Sequence, residues 1–224
     1  MSHSFGAAPQ HGERHFRLDV PAVTGVLAVS CVAMAVVGWL MPRLTYDFLF
    51  YPPLAVFQPY RYLTSAFLHA GFVHLLFNIY ALILMGRVIE PVMGKIRFLV
   101  LYLLSALAGN VAVAAWAATY GNPDVVTVGA SGAVFGLFGA YAVLERGFGS
   151  KDSGILGLIG VNLVLGFVVP GISWESHVGG LALGALLTWL WLVSRRRTVP
   201  ATRFWHAMVG VGVFIGLAGL ASLL

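Results

Sequence analysis

The chain has 224 residues, of which 59% are hydrophobic and 9% charged, against about 25% charged in soluble domains. A soluble fold of this length cannot hide so much apolar surface, and the apolar residues fall in long blocks, so a soluble domain is excluded and a polytopic helical membrane protein is expected. The formal charge of +5 does not signal nucleic-acid binding, because the basic residues flank apolar blocks instead of forming a stripe, and the single cysteine, Cys31, excludes an internal disulfide.

Residues 1–18 are polar, with His3, His11 and His15 at irregular spacing, and are expected to form a disordered cytoplasmic tail and neither a signal peptide nor a metal tract. Seven apolar blocks follow, at about 20–41, 69–88, 96–118, 131–144, 154–169, 177–193 and 204–224. Backbone groups in lipid must be satisfied within a segment, so each block is expected to be a helix. The fourth is short. The connection 42–68 is long and rich in aromatics and prolines, including Tyr46, Phe48, Tyr60, Pro52 and Pro53. It reads either as a folded element partly in the outer leaflet or as an ordinary interfacial loop.

Lysine and arginine set the expected orientation. With the N-terminus inside, the inner segments carry Arg14, Arg17, Arg87, Lys95, Arg97, Arg146, Lys151, Arg195, Arg196, Arg197 and Arg203, and the outer ones only Arg43 and Arg61. This bias places the C-terminus outside. Arg87 and Glu90 are expected to end the second helix at the inner surface.

Three blocks carry unusual polar residues towards the outer side: His69, His74 and Asn78 on the second, Ser131 on the fourth and His177 on the sixth. The helix rise puts His74 about 20 Å from Arg87, Ser131 about 21 Å from Glu145 and His177 about 27 Å from Arg195. In a core of about 30 Å all three lie in the outer third, as a shared site requires. Taken alone, a serine among glycines is a packing residue, and Gly132-x-x-x-Gly136 and Gly180-x-x-x-Gly184 are contact motifs in their own right. In company, Ser131 suits a nucleophile and His177 its general base. Glu175 points elsewhere on the helix and Asp124 lies in a loop, so a Ser–His dyad is expected. Phe135, one turn after Ser131, is placed to pack on the His177 ring. The free Ser131 N–H, His74 and Asn78 are candidate oxyanion donors, and Gly129 and Gly132 allow close backbone approach.

Together these elements resemble the rhomboid family of intramembrane serine proteases. The matching motifs are Tyr60-Arg61, His69, His74-x-x-x-Asn78, Glu90, Gly129-Ala130-Ser131-Gly132, and His177 followed by Val178-Gly179-Gly180. The family's usual Trp-Arg reads Tyr60-Arg61 here, and the ring after the serine, often tyrosine, is Phe135. The resemblance covers about residues 58–191. It implies an all-α polytopic bundle with a six-helix core (19–194), followed by a basic loop and a seventh helix (195–224). By resemblance Ser131 is the nucleophile, His177 the base, and His74 and Asn78 line the oxyanion hole. Phe135, Gly129, Gly132, Gly180, His69 and Arg61 support them. The expected protein is a multi-pass enzyme of a bacterial cytoplasmic membrane, with transmembrane protein substrates, the lipid bilayer as its other partner, and no metal or organic cofactor. A non-catalytic rhomboid-like binder that escorts clients is the alternative, disfavoured by the intact Ser131 and His177. A solute transporter would show internal repeats, and the sequence has none.

Overall fold

The computed structural model describes residues 19–120, 124–147 and 171–196, with isolated positions at 149, 154, 157, 160–162, 164, 168–169, 208 and 210–212. The tail 1–18, most of the fifth apolar block, most of the basic loop and nearly all of the seventh block lie outside the described residues.

The elements are α1 (Ala22–Leu40), α2 (Pro42–Phe48), α3 (Pro52–Ala55), α4 (Arg61–Thr64), a 3-10 turn (Ser65–Phe67), α5 (Phe72–Met93), α6 (Lys95–Tyr120), α7 (Ser131–Gly147) and α8 (Trp174–Arg196). Helices α1, α5, α6 and α8 are long and apolar enough to cross a membrane. The protein is an all-helical, multi-pass membrane bundle. Its outward faces are greasy: Val29 of α1 is 68% exposed and Phe77 of α5 67%, as expected of helices solvated by lipid tails.

The short α7 is the centre of the bundle, with every residue from Gly132 to Ala140 buried. It shares its largest interface with α8 and packs also on α6 and α5. Around it lie the fully buried Phe98, Leu101 and Tyr102 of α6, Leu82 and Ile89 of α5 and Leu137 of α7 itself. Met208, from the seventh block, is buried in the same core, with Val211 packed against it.

The connection 42–68 is a folded element. Pro42 and Pro52 stand in the first turns of α2 and α3, where a missing N–H costs nothing. The buried Arg61 organises the rest: its Nη1 donates to the carbonyls of Tyr46 (2.7 Å) and Leu49 (2.8 Å), and its Nε to Gln58 Oε1 (2.6 Å). Thr64 Oγ1 donates to the Phe48 carbonyl at 2.8 Å.

The second helix departs from its expected bounds at both ends. His69 precedes it, since α5 starts at Phe72 after the extended Gly71. At the other end α5 continues through Pro91 to Met93, and the chain turns at Gly94, whose φ of 84° favours glycine. Glu90 therefore does not end the helix at the surface. It is 3% exposed, and its carboxylate accepts from Val23 N (3.0 Å), Thr24 N (2.8 Å) and Thr24 Oγ1 (2.7 Å). A side chain of α5 thus satisfies the free donors that open α1, where a negative charge is also favoured by the helix dipole. Gly86, one turn earlier, admits Thr24 against the helix; a Cβ there would lie 2.9 Å from Thr24 Cβ.

Candidate active site

Ser131 is the first residue of α7 and is half-buried. The first bond of its helix runs from Val134 N to the Ala130 carbonyl at 2.9 Å. The N–H groups of Ser131, Gly132 and Ala133 consequently have no acceptor within the helix. Ahead of it, residues 124–130 run without helix and are held from both sides. Phe50 and Thr127 exchange backbone bonds of 3.0 and 2.9 Å, Gly129 N donates to the Ser65 carbonyl at 2.9 Å, and Tyr51 Oη donates to Asp124 Oδ1 at 2.9 Å. Thr127 Oγ1 and Ser173 Oγ, 3.3 Å apart, tie the segment to the approach of α8. Irregular backbone within a membrane protein is tolerated where protein covers it in this way.

His177 lies in the first turn of α8, three residues after the helix begins at Trp174. It is buried, and its Nδ1 has no hydrogen-bond partner among the described residues. Phe135 stacks flat on its ring, with centroids 4.0 Å apart and planes 7° from parallel. The helices that carry the two groups touch through backbone. A Cβ on Gly180 would strike the Gly132 carbonyl, and one on Gly184 the Gly136 carbonyl, with Gly136 Cα at 2.6 Å. Ser131 and His177 thus stand beside the same glycine contact, near the starts of the two helices.

α5 brings the other histidine. The ring of His74 faces Gly129, where a Cβ would fall 2.6 Å from His74 Cε1 and 2.8 Å from Nε2, and Gly129 has a φ of 129°. Only glycine combines that backbone with that approach. Asn78, buried, donates one Nδ2 hydrogen to the His74 carbonyl at 2.8 Å, which leaves its second amide hydrogen free for another acceptor. His69 packs edge-on to His74 at 5.3 Å from the loop before α5, not from the helix face. Arg61 acts within the 42–68 element, through carbonyls. Among the described residues no three His, Cys, Asp or Glu side chains form a group that could hold a metal ion.

The sequence model of the rhomboid domain matches residues 56–194, a span that takes in Arg61, His69, His74, Asn78, Ser131, Phe135 and His177. YdcA of Bacillus subtilis is 35% identical over 192 residues, covering 79% of this chain and 92% of that protein. The chain belongs to the rhomboid family. Other rhomboid relatives are longer. Rhomboid protease GluP of Bacillus subtilis is 36% identical over 130 residues, which is 56% of this chain and 24% of GluP. Rhomboid-type serine protease 2 of Emericella nidulans is 34% identical over 139 residues, 58% of this chain and 26% of its own length.

Three polar residues of this rhomboid were not legible as part of the site. Ser176, just before His177, is wedged where α6, α7 and α8 meet; Cβ atoms on Gly109 and Gly132 would lie 2.5 and 2.6 Å from its Oγ. Ser65 and Asn110 bond each other at 2.8 Å behind Gly129. Each is a common residue type whose partner is 45 or more positions away in sequence or is a glycine of another helix. The one available signal was a polar side chain inside an apolar block, as with Asn110.

Proposed function

We propose that this protein is an intramembrane serine endopeptidase that cleaves client membrane proteins in or beside a transmembrane segment. The observation that carries this reading is the flat stack of Phe135 on His177 beside the glycine contact of α7 and α8. It fixes the plane of one imidazole next to a serine at a helix N-terminus, inside an apolar bundle.

In this reading His177 takes the proton from Ser131 Oγ as the hydroxyl attacks the scissile carbonyl. The tetrahedral oxyanion receives hydrogen bonds from the Ser131 N–H, the free hydrogen of Asn78 Nδ2 and the His74 ring. His177 then returns the proton to the leaving amine, which departs and leaves an acyl-enzyme on Ser131. Water, deprotonated by the same imidazole, hydrolyses the ester and restores the serine. Nδ1 of His177 has no hydrogen-bond partner, acidic or otherwise, among the described residues, which favours a dyad. The ring stacked on it does the orienting that a third residue does elsewhere. The lysine and arginine bias supports an N-terminus on the cytoplasmic side, a C-terminus outside and a site opening outwards, with 19–194 as the catalytic core and 195–224 as an added loop and helix. Clients whose helices unwind easily near that surface are expected to be cut fastest.

Cleavage of a reporter membrane protein in liposomes tests the proposal. Ser131→Ala and His177→Ala should each abolish it, and a fluorophosphonate should label wild type but not Ser131→Ala. Equal cleavage by wild type and Ser131→Ala removes the proposal. Asn78→Ala should slow turnover about 100-fold, as expected for one oxyanion donor.

A further inference from the structure

We propose that Asn110 is a positioning residue for the oxyanion site, acting through Ser65 and Gly129 from the far side of the 42–68 element. The inference rests on the protease reading above. Asn110 lies within α6 and is 4% exposed, and neither of its two hydrogen bonds goes to a proposed reacting group. Its Nδ2 donates both hydrogens away from its own helix, to the Tyr62 carbonyl and to Ser65 Oγ, each at 2.8 Å. An asparagine in an apolar helix that spends both donors on one neighbouring turn has one evident use, which is to fix that turn.

The turn it fixes runs from Tyr62 in α4 into the 3-10 segment Ser65–Phe67. Ser65 is 1% exposed. Its carbonyl accepts from Leu68 N at 3.2 Å within the turn and from Gly129 N at 2.9 Å across to the serine segment. Gly129 in turn is the residue whose Cα side meets the Cε1–Nε2 edge of the His74 ring. One further peptide leads to the Ser131 N–H. The chain of contacts thus runs Asn110, Ser65, Gly129 and then, by two branches, His74 and Ser131. Both branches end on proposed oxyanion donors. A shift of Ser65 moves the two donors together, whereas Asn78, bonded to its own helix among the described residues, does not follow.

Two consequences separate this from ordinary packing. Losing the Asn110 donors should lower kcat and leave KM nearly unchanged, because the oxyanion forms after the substrate is bound. Displacement of donors by a fraction of an ångström to 1 Å should slow turnover by about 10- to 100-fold. The effect should also pass through Ser65, so a double variant should be no slower than Asn110→Ala alone.

The test uses the full chain in liposomes with the reporter protein, measuring kcat and KM together with hydrogen exchange of the peptide containing Gly129. The variants are Asn110→Ala, Asn110→Asp, Ser65→Ala and the double Asn110→Ala/Ser65→Ala. Thr119→Ala, whose exposed hydroxyl donates to Ala115 of its own helix, is the control at full rate. The expected result is a lower kcat at constant KM, faster exchange at Gly129, and non-additivity in the double variant. Should Asn110→Ala fail to fold, Asn110→Asp and Ser65→Ala carry the same expectation, and loss of folding in all three overturns the inference in favour of a fold-wide role. Unchanged kcat in a folded Asn110→Ala, or a rise in KM alone, also overturns it and leaves the protease reading standing. A wild type no more active than Ser131→Ala instead removes the protease reading and this inference with it.

Discussion

The α7–α8 contact and the 42–68 element flank the same serine but hold their shape in opposite ways. At the helix contact, Gly180 and Gly184 let one backbone rest on the carbonyls of Gly132 and Gly136, and no side chain fits between them. In the 42–68 element, Arg61 and Thr64 donate to distant backbone carbonyls, Gln58 accepts from Arg61, and the fold depends on the side chains present. The first region should fail when an atom is added. The second should fail when one is taken away. Helices without a hydrophobic drive between them gain from close backbone contact, whereas an irregular segment must satisfy its own polar groups.

The sharpest way to break that contrast is to add one methyl group inside the helix contact and one at Gly71, just past the 42–68 element. Gly180→Ala meets the Gly132 carbonyl, which cannot swing aside, and should cost at least about 3 kcal/mol of stability. Gly71→Ala, with nothing within 4 Å of the new atom, should change stability by less than about 0.5 kcal/mol. Thermal unfolding in detergent micelles checks both. Next in size is Arg61→Ala, which removes three bonds and should cost about 2–4 kcal/mol, with Arg61→Lys recovering less than half because one ammonium cannot stand at both the Nη1 position, which serves the two carbonyls, and the Nε position, which serves Gln58. At the α1–α5 contact, Thr24→Val keeps the shape and removes one bond to Glu90, for about 1–2 kcal/mol.

The smallest effect should come from Tyr62→Phe. Burial pushes the Tyr62 phenol up to about 12 from 10.0, and its Oη has no hydrogen-bond partner among the described residues. Losing the hydroxyl should leave stability within about 0.5 kcal/mol at neutral pH, or raise it. The sign at high pH is determined by which state keeps its proton. The fold holds the phenol neutral, the unfolded chain ionises first, and wild type should lose stability relative to Tyr62→Phe as pH rises from 10 towards 12. A flat difference across that range removes the argument.

Residue spacing exposed much of this architecture, and the exceptions share a cause. The start of α7 at Ser131 was legible because glycines and a polar residue interrupt an apolar run. The Phe135 ring was legible because one helical turn separates it from Ser131. The far end of α5 was not: Arg87 and Glu90 read as a stop, yet the helix runs on because Glu90 has a partner on α1, 66 residues away. The start of α5 was misread for the opposite reason, since His69 is apolar enough in company to extend a block but its backbone belongs to the preceding loop. Ser65, Asn110 and Ser176 stayed hidden because a hydrogen bond or a wedge between helices leaves no periodic trace. Periodicity reports which face is buried, and it does not report which carbonyl a side chain will find.

The Glu90 carboxylate also bears on how the protein is made. α1 is synthesised before residue 90, so its first N–H groups at first lack the Glu90 acceptor. Their intended acceptor arrives only when α5 enters the bilayer, bringing an acid that would itself be expensive there without donors. Each helix therefore carries what the other lacks, and neither is fully satisfied until both are inserted side by side. The clasp thus ties the correct pairing of α1 and α5 to the satisfaction of a buried acid and a helix start at once.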